Sequence, residues 1–330
     1  MASALWEANA RSGSRANIGP RCWQRDDLAP DDWRIAFPER CWPELDQVAQ
    51  RVRADQAAVT DLRVDQFELP GCRKVMADVR RQLTDGIGFA VLDRVPVERY
   101  GVAENQAIAW LLAQLLGQVV EQKWDGTRLY DVRDSGKALA HGVRRSVTNL
   151  EQLFHTDGGW LTSAPHFVGL FCIQPAATGG HSRCASLVHA HEALRVSAPD
   201  LLARLYAPFW WDRQAEHGPD DAAWSQHPIF EDHQGTLIAR YYDDYVHQGY
   251  ALKGEVLDQA GIEALAALRR VVEAPESWLE FRLAAGQFQY LNNRQVAHSR
   301  TAFQDEGAKR HLLRLWNRDE GPPALEGKLG

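Results

Sequence analysis

Segment 153–160 carries a histidine and an aspartate two positions apart, His155 and Asp157. In an extended strand alternate side chains leave the same face, so these two residues would point together while Thr156 points away. A neutral imidazole and a carboxylate on one face can supply two of the three protein ligands of an iron(II) site whose remaining positions stay open. A single H-x-D pattern often arises by chance, so it indicates a metal site only when a second histidine accompanies it.

The second histidine is His298, which follows His155 by 143 positions (298 − 155). A jelly roll can close this separation, because it brings distant strands together. Further along the chain, Arg310, Leu312 and Arg314 would share one face of a strand. Two guanidinium groups would therefore point into the interior of the barrel. Arginines inside a barrel are costly unless they meet anions. The pattern therefore predicts an anionic ligand that enters from solution.

The elements that position these residues follow from periodicity and turn signals. Helices are predicted near 43–58, from 70 onwards, near 104–116 and near 258–273, with Gly86 closing the second in a left-handed conformation. Strands are predicted at 87–92, 129–132, 167–173, 278–283, 287–291 and 310–316, with a polar loop at 138–146 and a hairpin at 229–241. Gly179 and Gly180 form a turn, after which segment 181–188 returns antiparallel, and a helical stretch reaches about residue 206.

Many short strands in the second half, with helices packed outside them, favour an α+β fold with a mainly β core. The expected architecture is a double-stranded β-helix, or jelly roll, with flanking helices. Residues 1–60 read as an N-terminal extension that wraps this core, and residues 61–330 as the jelly-roll domain.

Composition limits the classes of partner. The 330 residues are 45% hydrophobic and 25% charged, and the net charge of −7 comes from 37 basic and 44 acidic residues without a block of like charge. Nucleic acid and an anionic membrane are therefore disfavoured, and a small molecule is the expected partner. The five cysteines include no C-x-x-C pair, and no signal peptide is recognisable, which indicates a reducing, cytoplasmic setting. Assembly into a homo-oligomer is left open.

Four motifs together carry a resemblance to a known family. They are the strand 154–157, the Gly-Gly-His-Ser turn at 179–182, the Asn-Asn-Arg segment that leads to His298, and the arginines at 310 and 314. Over roughly 70–318 the chain resembles the iron(II)/2-oxoglutarate-dependent oxygenases of the taurine dioxygenase and clavaminate synthase-like superfamily. The resemblance implies a non-haem iron dioxygenase that uses Fe(II) as cofactor and 2-oxoglutarate and O2 as co-substrates.

The resemblance also implies roles for individual residues. His155, Asp157 and His298 are the expected iron ligands. Arg310 matches the arginine that pairs with the far carboxylate of 2-oxoglutarate, for which a fork-shaped donor is well suited. Ser182 stands where the family more often has a threonine that touches the same carboxylate, and a serine hydroxyl can do the same. Arg314 matches a position that in some relatives holds an acidic group of the substrate.

Other residues admit two interpretations. Trp160, Arg240 and Tyr241 are candidates for a substrate wall, although core packing explains the last two equally well. Arg294 and Arg300 flank His298 and are interpreted as salt-bridge partners. Surface or hydrogen-bonded positions, and not metal ligation, are expected for the other histidines considered: His166, His181, His189, His191, His227 and His233.

The predicted activity is hydroxylation of an unactivated C–H bond in a small anionic or amino-acid-like metabolite, in specialised metabolism. Desaturation, epoxidation and ring closure use the same cofactors and stay open, whereas halogenation is disfavoured because Asp157 is present. A zinc hydrolase would need only the three ligands and a water, and would leave Ser182 and the arginine pair unexplained. A non-catalytic jelly-roll binding protein would not need all of the residues His155, Asp157, His298 and Arg310.

Overall fold

The computed structural model describes residues 19–55, 58–137 and 144–319. Within these ranges the chain forms seven α-helices, with short 3-10 turns between elements: α1 (Trp42–Asp55), α2 (Pro70–Thr84), α3 (Val102–Leu116), α4 (Leu187–Ser197), α5 (Pro199–Leu205), α6 (Asp243–Lys253) and α7 (Gln259–Glu273). Among the described residues, no helix combines the length and the apolar character needed to span a membrane.

The same ranges contain seventeen strands: β1 (Arg34–Ala36), β2 (Phe89–Asp93), β3 (Gln118–Val120), β4 (Tyr130–Val132), β5 (Gln152–His155), β6 (Phe167–Gln174), β7 (Thr178–Gly179), β8 (Ser182–Ser186), β9 (Phe209–Asp212), β10 (Trp224–His227), β11 (Phe230–His233), β12 (Thr236–Ala239), β13 (Trp278–Phe281), β14 (Phe288–Asn292), β15 (Val296–Arg300), β16 (Phe303–Gln304) and β17 (His311–Arg318).

The major sheet has the strand order β1-β2-β14-β6-β17-β3, and β4 also pairs with β17. Both of its faces are buried. Along β17, Leu313 and Leu315 join the apolar cluster that contains residues of α1, α2 and α3, while Leu312 and Trp316 join the cluster on the opposite face. This division follows from the period of two along a strand. Helices α1, α2 and α3 therefore cover the outer face of the major sheet, and its inner face is available to form a site.

The minor sheet has the order β13-β8-β15-β5. Its Phe154, Cys184 and Ala297 belong to the same apolar cluster as Val168 and Leu312 of the major sheet, so the two sheets enclose one core. Two sheets that face each other, with helices outside, form the double-stranded β-helix that the sequence predicts. Three short antiparallel pairs complete the described strands: β9 with β10, β11 with β12, and β7 with β16.

Two local predictions are wrong. Helix α2 ends with Asp85 in a right-handed conformation, and the glycine with a left-handed backbone is Gly88 (φ 87°), not Gly86. After the turn at Gly179 and Gly180, both of which have φ 67°, strand β8 pairs with β13 and β15 instead of returning along β6. Strand β7 pairs with β16 outside both sheets, so the chain passes through this short pair on its way from β6 of the major sheet to β8 of the minor sheet.

The described part of the N-terminal segment contributes to the core. Strand β1 adds a parallel edge to the major sheet through β2. The indole nitrogen of Trp23 donates a hydrogen bond to the carbonyl oxygen of Ile87 (2.8 Å), and its ring is 1% exposed. The division near residue 60 stays a prediction. Residues 1–18, and residues 138–143 of the predicted polar loop, lie outside the described ranges.

Candidate metal centre

The three predicted iron ligands meet in the structure. His155 ends strand β5, Asp157 lies in the turn that follows, and His298 is the middle residue of β15, directly opposite His155 in the antiparallel register. One ligand atom from each residue lies within 4.8 Å of the other two, and Nε2 of His155 is 3.4 Å from Oδ1 of Asp157. Two imidazoles and one carboxylate, all buried, are a donor set that suits iron(II).

Local contacts orient His155 and Thr156, and burial keeps His298 neutral. The Nδ1 nitrogen of His155 lies 2.8 Å from the carbonyl oxygen of Leu153, to which it can donate, and this leaves Nε2 for a metal. Burial, followed by the electrostatic effect of the neighbouring His155, lowers the pKa of His298 to about 3, so its imidazole is held in the neutral form that a metal requires. Thr156 turns away, because its amide and hydroxyl bond to the backbone of Tyr241 (2.7 and 3.0 Å).

Asp157 is held at both its backbone and its carboxylate. Its amide donates to Oδ1 of Asn293 (2.7 Å), and Nδ2 of Asn293 donates to the carbonyl of Asp157 (2.9 Å). The indole nitrogen of Trp316 donates to Oδ2 (2.8 Å), and Nη1 of Arg314 lies 3.3 Å from Oδ1. Burial alone would raise the pKa of this carboxyl, but the Arg314 guanidinium and the hydrogen bond with His155 outweigh burial and hold the pKa well below its usual range.

A cavity between the two sheets, the inner cavity, is lined by His155 and His298 together with Ser182, Arg310 and Arg314. The structure therefore brings the predicted co-substrate residues and two iron ligands to one space. Nη1 of Arg310 is buried and has no partner among the described residues. Burial lowers the pKa of Arg310 to about 10, which still leaves the side chain charged at neutral pH. An unpaired buried guanidinium suits an entering carboxylate.

The two arginines that flank His298 hold backbone carbonyls. Arg300 donates to the carbonyl oxygens of Thr148 (3.2 Å) and Leu150, and within the described ranges it does not form the predicted salt bridge. Burial lowers its pKa to about 9. Arg294 donates to the carbonyl oxygen of Ala164 (2.9 Å). Both side chains thus fix loops next to the metal ligands.

A second space, the outer cavity, also borders the metal ligands. Trp160, Arg144 and Tyr245 line it, together with Asp157 and Arg314. The rings of Trp160 and Tyr245 meet edge to face with centroids 5.7 Å apart. The guanidinium of Arg144 forms a buried ion pair with Glu216 (2.6 Å). Trp160 therefore lines a cavity next to the metal ligands, and its role as a substrate wall stays a prediction.

Arg240 and Tyr241 are not brought to the site: neither is among the described residues that line the inner and outer cavities. Arg240 donates to the carbonyl oxygens of Leu161 (3.0 Å) and Thr162 (3.3 Å), and it pairs with Glu231. Tyr241 is 1% exposed and packs in the core. The guanidinium is occupied by the loop after the metal strand, which explains why it does not reach the cavity.

Three residues at the site were missed by sequence reasoning. Trp316 could have been found, since it lies two positions after Arg314 and so shares its strand face. Gln122 accepts a hydrogen bond from Nε of Arg314 (2.7 Å) and donates to the carbonyl oxygen of Arg314 (2.8 Å). No local sequence pattern predicts that Gln122 or Tyr245 lies at the site, because both residues reach it only through tertiary packing.

Comparison with known proteins identifies the family. The chain matches the family described as taurine catabolism dioxygenase TauD, TfdA family over residues 55–316. It belongs to the TauD/TfdA family. It is 31% identical over 309 residues to the FR-33289 synthase of Streptomyces rubellomurinus, covering 90% of this chain and 89% of that protein. It is 27% identical over 286 residues to the taurine hydroxylase-like protein SAT17 of Stachybotrys chartarum, covering 80% and 71%.

Solved structures agree with this fold. An asparagine oxygenase in complex with Fe(II), 2S,3S-3-hydroxyasparagine and succinate superposes with a TM-score of 0.65 at 19% identity, over 87% of this TauD/TfdA chain and 93% of that one. The non-haem iron oxygenase OrfP in complex with Fe and alpha-ketoglutaric acid gives a TM-score of 0.63 at 15% identity, over 87% and 94%.

The chain is thus an iron(II)- and 2-oxoglutarate-dependent oxygenase of the TauD/TfdA family, with Fe(II) as cofactor and 2-oxoglutarate and O2 as co-substrates. The predicted enzyme class and cofactors are confirmed. Family membership decides against a zinc hydrolase and against a non-catalytic binding protein, and the donor set of His155, Asp157 and His298 fits the expected metal.

Proposed function

We propose that the protein hydroxylates an unactivated C–H bond of a small anionic or amino-acid-like metabolite in specialised metabolism. The observation that carries the proposal is the position of Arg314, which lines both the inner and the outer cavity. Its Nη2 atom is buried without a partner among the described residues. A buried donor of this kind is unfavourable unless a ligand supplies an acceptor, and an acidic group on the substrate would do so.

The roles of the remaining site residues follow from their places. His155, Asp157 and His298 would hold the iron, which when bound supplies the oxidising chemistry that couples decarboxylation of 2-oxoglutarate to hydroxylation. Arg310 and Ser182 would hold the far carboxylate of 2-oxoglutarate at the other end of the inner cavity. A guanidinium can grip both oxygens of a carboxylate, which fixes the orientation of the co-substrate as well as its position.

The outer cavity would hold the primary substrate. Trp160 and Tyr245 provide aromatic walls next to Asp157, and these side chains exclude water from the place where the C–H bond would lie. The ligands bound in similar solved structures support an amino-acid-like substrate. One similar structure contains 3-hydroxyasparagine, and OrfP has been solved with (3S)-hydroxy-L-Arg. Arg240 and Tyr241 are given no role in this cavity.

The test has two stages. Anaerobic addition of Fe(II) and 2-oxoglutarate should first produce a weak visible charge-transfer band. Carboxylates, amino acids, sulfonates and phosphonates, each beside an uncharged analogue, are then screened for substrate-dependent release of succinate. Mass spectrometry separates hydroxylation or epoxidation, which can each add one oxygen atom, from desaturation or ring closure, which removes two hydrogens. If uncharged analogues stimulate turnover as strongly as the acids, the proposal fails.

The cellular setting is proposed on composition. We infer a reducing, cytoplasmic compartment, because the described cysteines are all free thiols and four of them, Cys41, Cys72, Cys172 and Cys184, are buried. The net charge of −7 supports an absence of nucleic-acid partners. Assembly into a homo-oligomer stays a prediction that light scattering can test. Cell fractionation that recovers the protein with membranes or outside the cell would contradict the inferred compartment.

A further inference from the structure

The wall of the inner cavity carries many buried polar atoms that have no hydrogen-bond partner among the described residues. They are Oγ of Ser146, Oε1 of Gln152, Oε1 and Nε2 of Gln289, Nδ1 of His298, Oγ of Ser299, Nη1 of Arg310 and Nη2 of Arg314. Gln289 differs from the others because both polar atoms of its side chain are unpartnered, although the residue is only 1% exposed. Buried amides are normally hydrogen-bonded, so this one needs an explanation.

The sheet register places Gln289 on the floor of the inner cavity. On β14, Gln289 lies directly opposite Leu170 of β6, and Leu170 lies directly opposite Arg314 of β17. The three residues form one row across the major sheet and line the same cavity. With about 4.8 Å between neighbouring strands, Gln289 and Arg314 stand about 10 Å apart at the backbone. Arg310 precedes β17, so this row lies at the other end of the cavity from it.

The occupant that fits this position is the co-substrate. Gln289 is not among the described residues that line the outer cavity, so it faces the space proposed for 2-oxoglutarate and not the space proposed for the primary substrate. The carboxylate and oxo groups of 2-oxoglutarate only accept hydrogen bonds, whereas an amide nitrogen donates two.

We propose that Gln289 is a further co-substrate-binding residue: its Nε2 donates a hydrogen bond to 2-oxoglutarate, at the end away from Arg310. Arg310 and Ser182 then hold one end of the co-substrate, and Gln289 fixes the other end next to the metal ligands. This inference uses the established co-substrate and does not depend on the identity of the primary substrate.

The experiment replaces Gln289 by leucine, which keeps the approximate shape and removes the amide. The matched control is Gln295→Leu. Gln295 is also buried, but its Nε2 donates to the carbonyl oxygen of Leu237 (3.1 Å) and its Oε1 accepts from Asn292 (3.2 Å). For each variant we would measure the dissociation constant of 2-oxoglutarate by anaerobic titration of the charge-transfer band, the affinity for Fe(II), and the melting temperature without ligands.

The two variants should respond in opposite ways. Gln289→Leu is expected to weaken 2-oxoglutarate binding roughly ten- to hundredfold, as loss of a hydrogen bond to a charged group does, with unchanged Fe(II) affinity and a melting temperature equal to or above that of the parent. Gln295→Leu is expected to lower the melting temperature and to leave 2-oxoglutarate binding unchanged.

Two outcomes overturn the proposal. Unchanged 2-oxoglutarate binding in Gln289→Leu would show that the amide does not contact the co-substrate. A fall in its melting temperature as large as in Gln295→Leu would show that the amide is bonded within the protein. Arg310→Lys is measured in parallel. This variant should weaken 2-oxoglutarate binding whether or not Gln289 contacts the co-substrate. Unchanged binding in Arg310→Lys would therefore show that the co-substrate site itself is misplaced.

Discussion

Replacement of Trp316 by phenylalanine removes one hydrogen bond from the carboxylate of the metal centre and little else. The indole nitrogen donates to Oδ2 of Asp157 at 2.8 Å, and the ring is 1% exposed in the inner core. Phenylalanine keeps most of the apolar contact. Asp157 also keeps its backbone hydrogen bonds with Asn293 and its ion pair with Arg314. The fold should therefore survive, while the carboxylate of Asp157 loses the indole N–H that orients it.

The expected loss can be stated for affinity and for stability. Groups that orient a metal ligand typically contribute ten- to hundredfold to metal affinity, so Trp316→Phe should weaken Fe(II) binding by about that factor. A buried acceptor that loses its donor costs about 1–3 kcal/mol of unfolding free energy. Trp23→Phe is the matched control, because its indole nitrogen also donates a buried hydrogen bond of 2.8 Å, to the carbonyl of Ile87. Both variants should lose stability, although not equally, because only the acceptor of Trp316 is charged.

The assay is an anaerobic titration of each metal-free variant with Fe(II), and with Co(II) as a spectroscopic substitute, beside a denaturant titration of the metal-free protein. Only Trp316→Phe should show weakened metal binding, and its turnover should release more succinate than product. Equal metal affinities in Trp316→Phe and Trp23→Phe would refute the idea that the indole positions the ligand. Unequal stabilities would not, because the two acceptors differ in charge.

Three further predictions concern the assigned roles. His155→Ala, Asp157→Ala and His298→Ala should each abolish turnover while the circular dichroism spectrum is kept; ordinary hydroxylation by iron-loaded Asp157→Ala would contradict the ligand assignment. Arg310→Lys should raise the 2-oxoglutarate requirement roughly ten- to hundredfold, since an ammonium makes one contact where a guanidinium makes two; a large effect in Arg314→Lys with none in Arg310→Lys would mean that the roles are exchanged. Arg314→Ala should raise the apparent binding constant of the primary substrate and leave 2-oxoglutarate affinity and uncoupled turnover in place; a substrate-bound structure in which Arg314 contacts only Asp157 would argue against that role.

The parts of the site that depend on strand geometry could be predicted from the sequence. The alternation of side chains along the predicted strand 310–316 placed Arg310, Leu312 and Arg314 along one cavity wall, as the structure has them. His155 and Asp157 were expected to point the same way, and they do, although β5 ends at His155 and the aspartate lies in the turn. A period of two needs only local backbone geometry, so it can be read without knowledge of the fold.

Tertiary contacts decided the rest. Strand β15 was not predicted, because Val296–Arg300 carries a histidine, a serine and an arginine and shows no apolar alternation; it is a strand because β8 and β5 supply backbone partners on both sides. The crossing of β8 to the minor sheet has the same origin. The direction of Arg240 depends on the two loop carbonyls that it meets, which no local pattern encodes.

The register of the metal strand has a consequence for local opening. Strand β5 has four residues, stands at the edge of the minor sheet, and pairs with β15 through an irregular ladder. Short edge strands with few backbone partners open at low free energy. A metal held by His155 and His298 would tie this edge to the neighbouring strand, so metal must dissociate before the edge can separate. Amide hydrogen exchange at 152–155 is therefore expected to slow on metal loading while β6 and β14 change little, and a shortage of iron would loosen this edge as well as halt turnover.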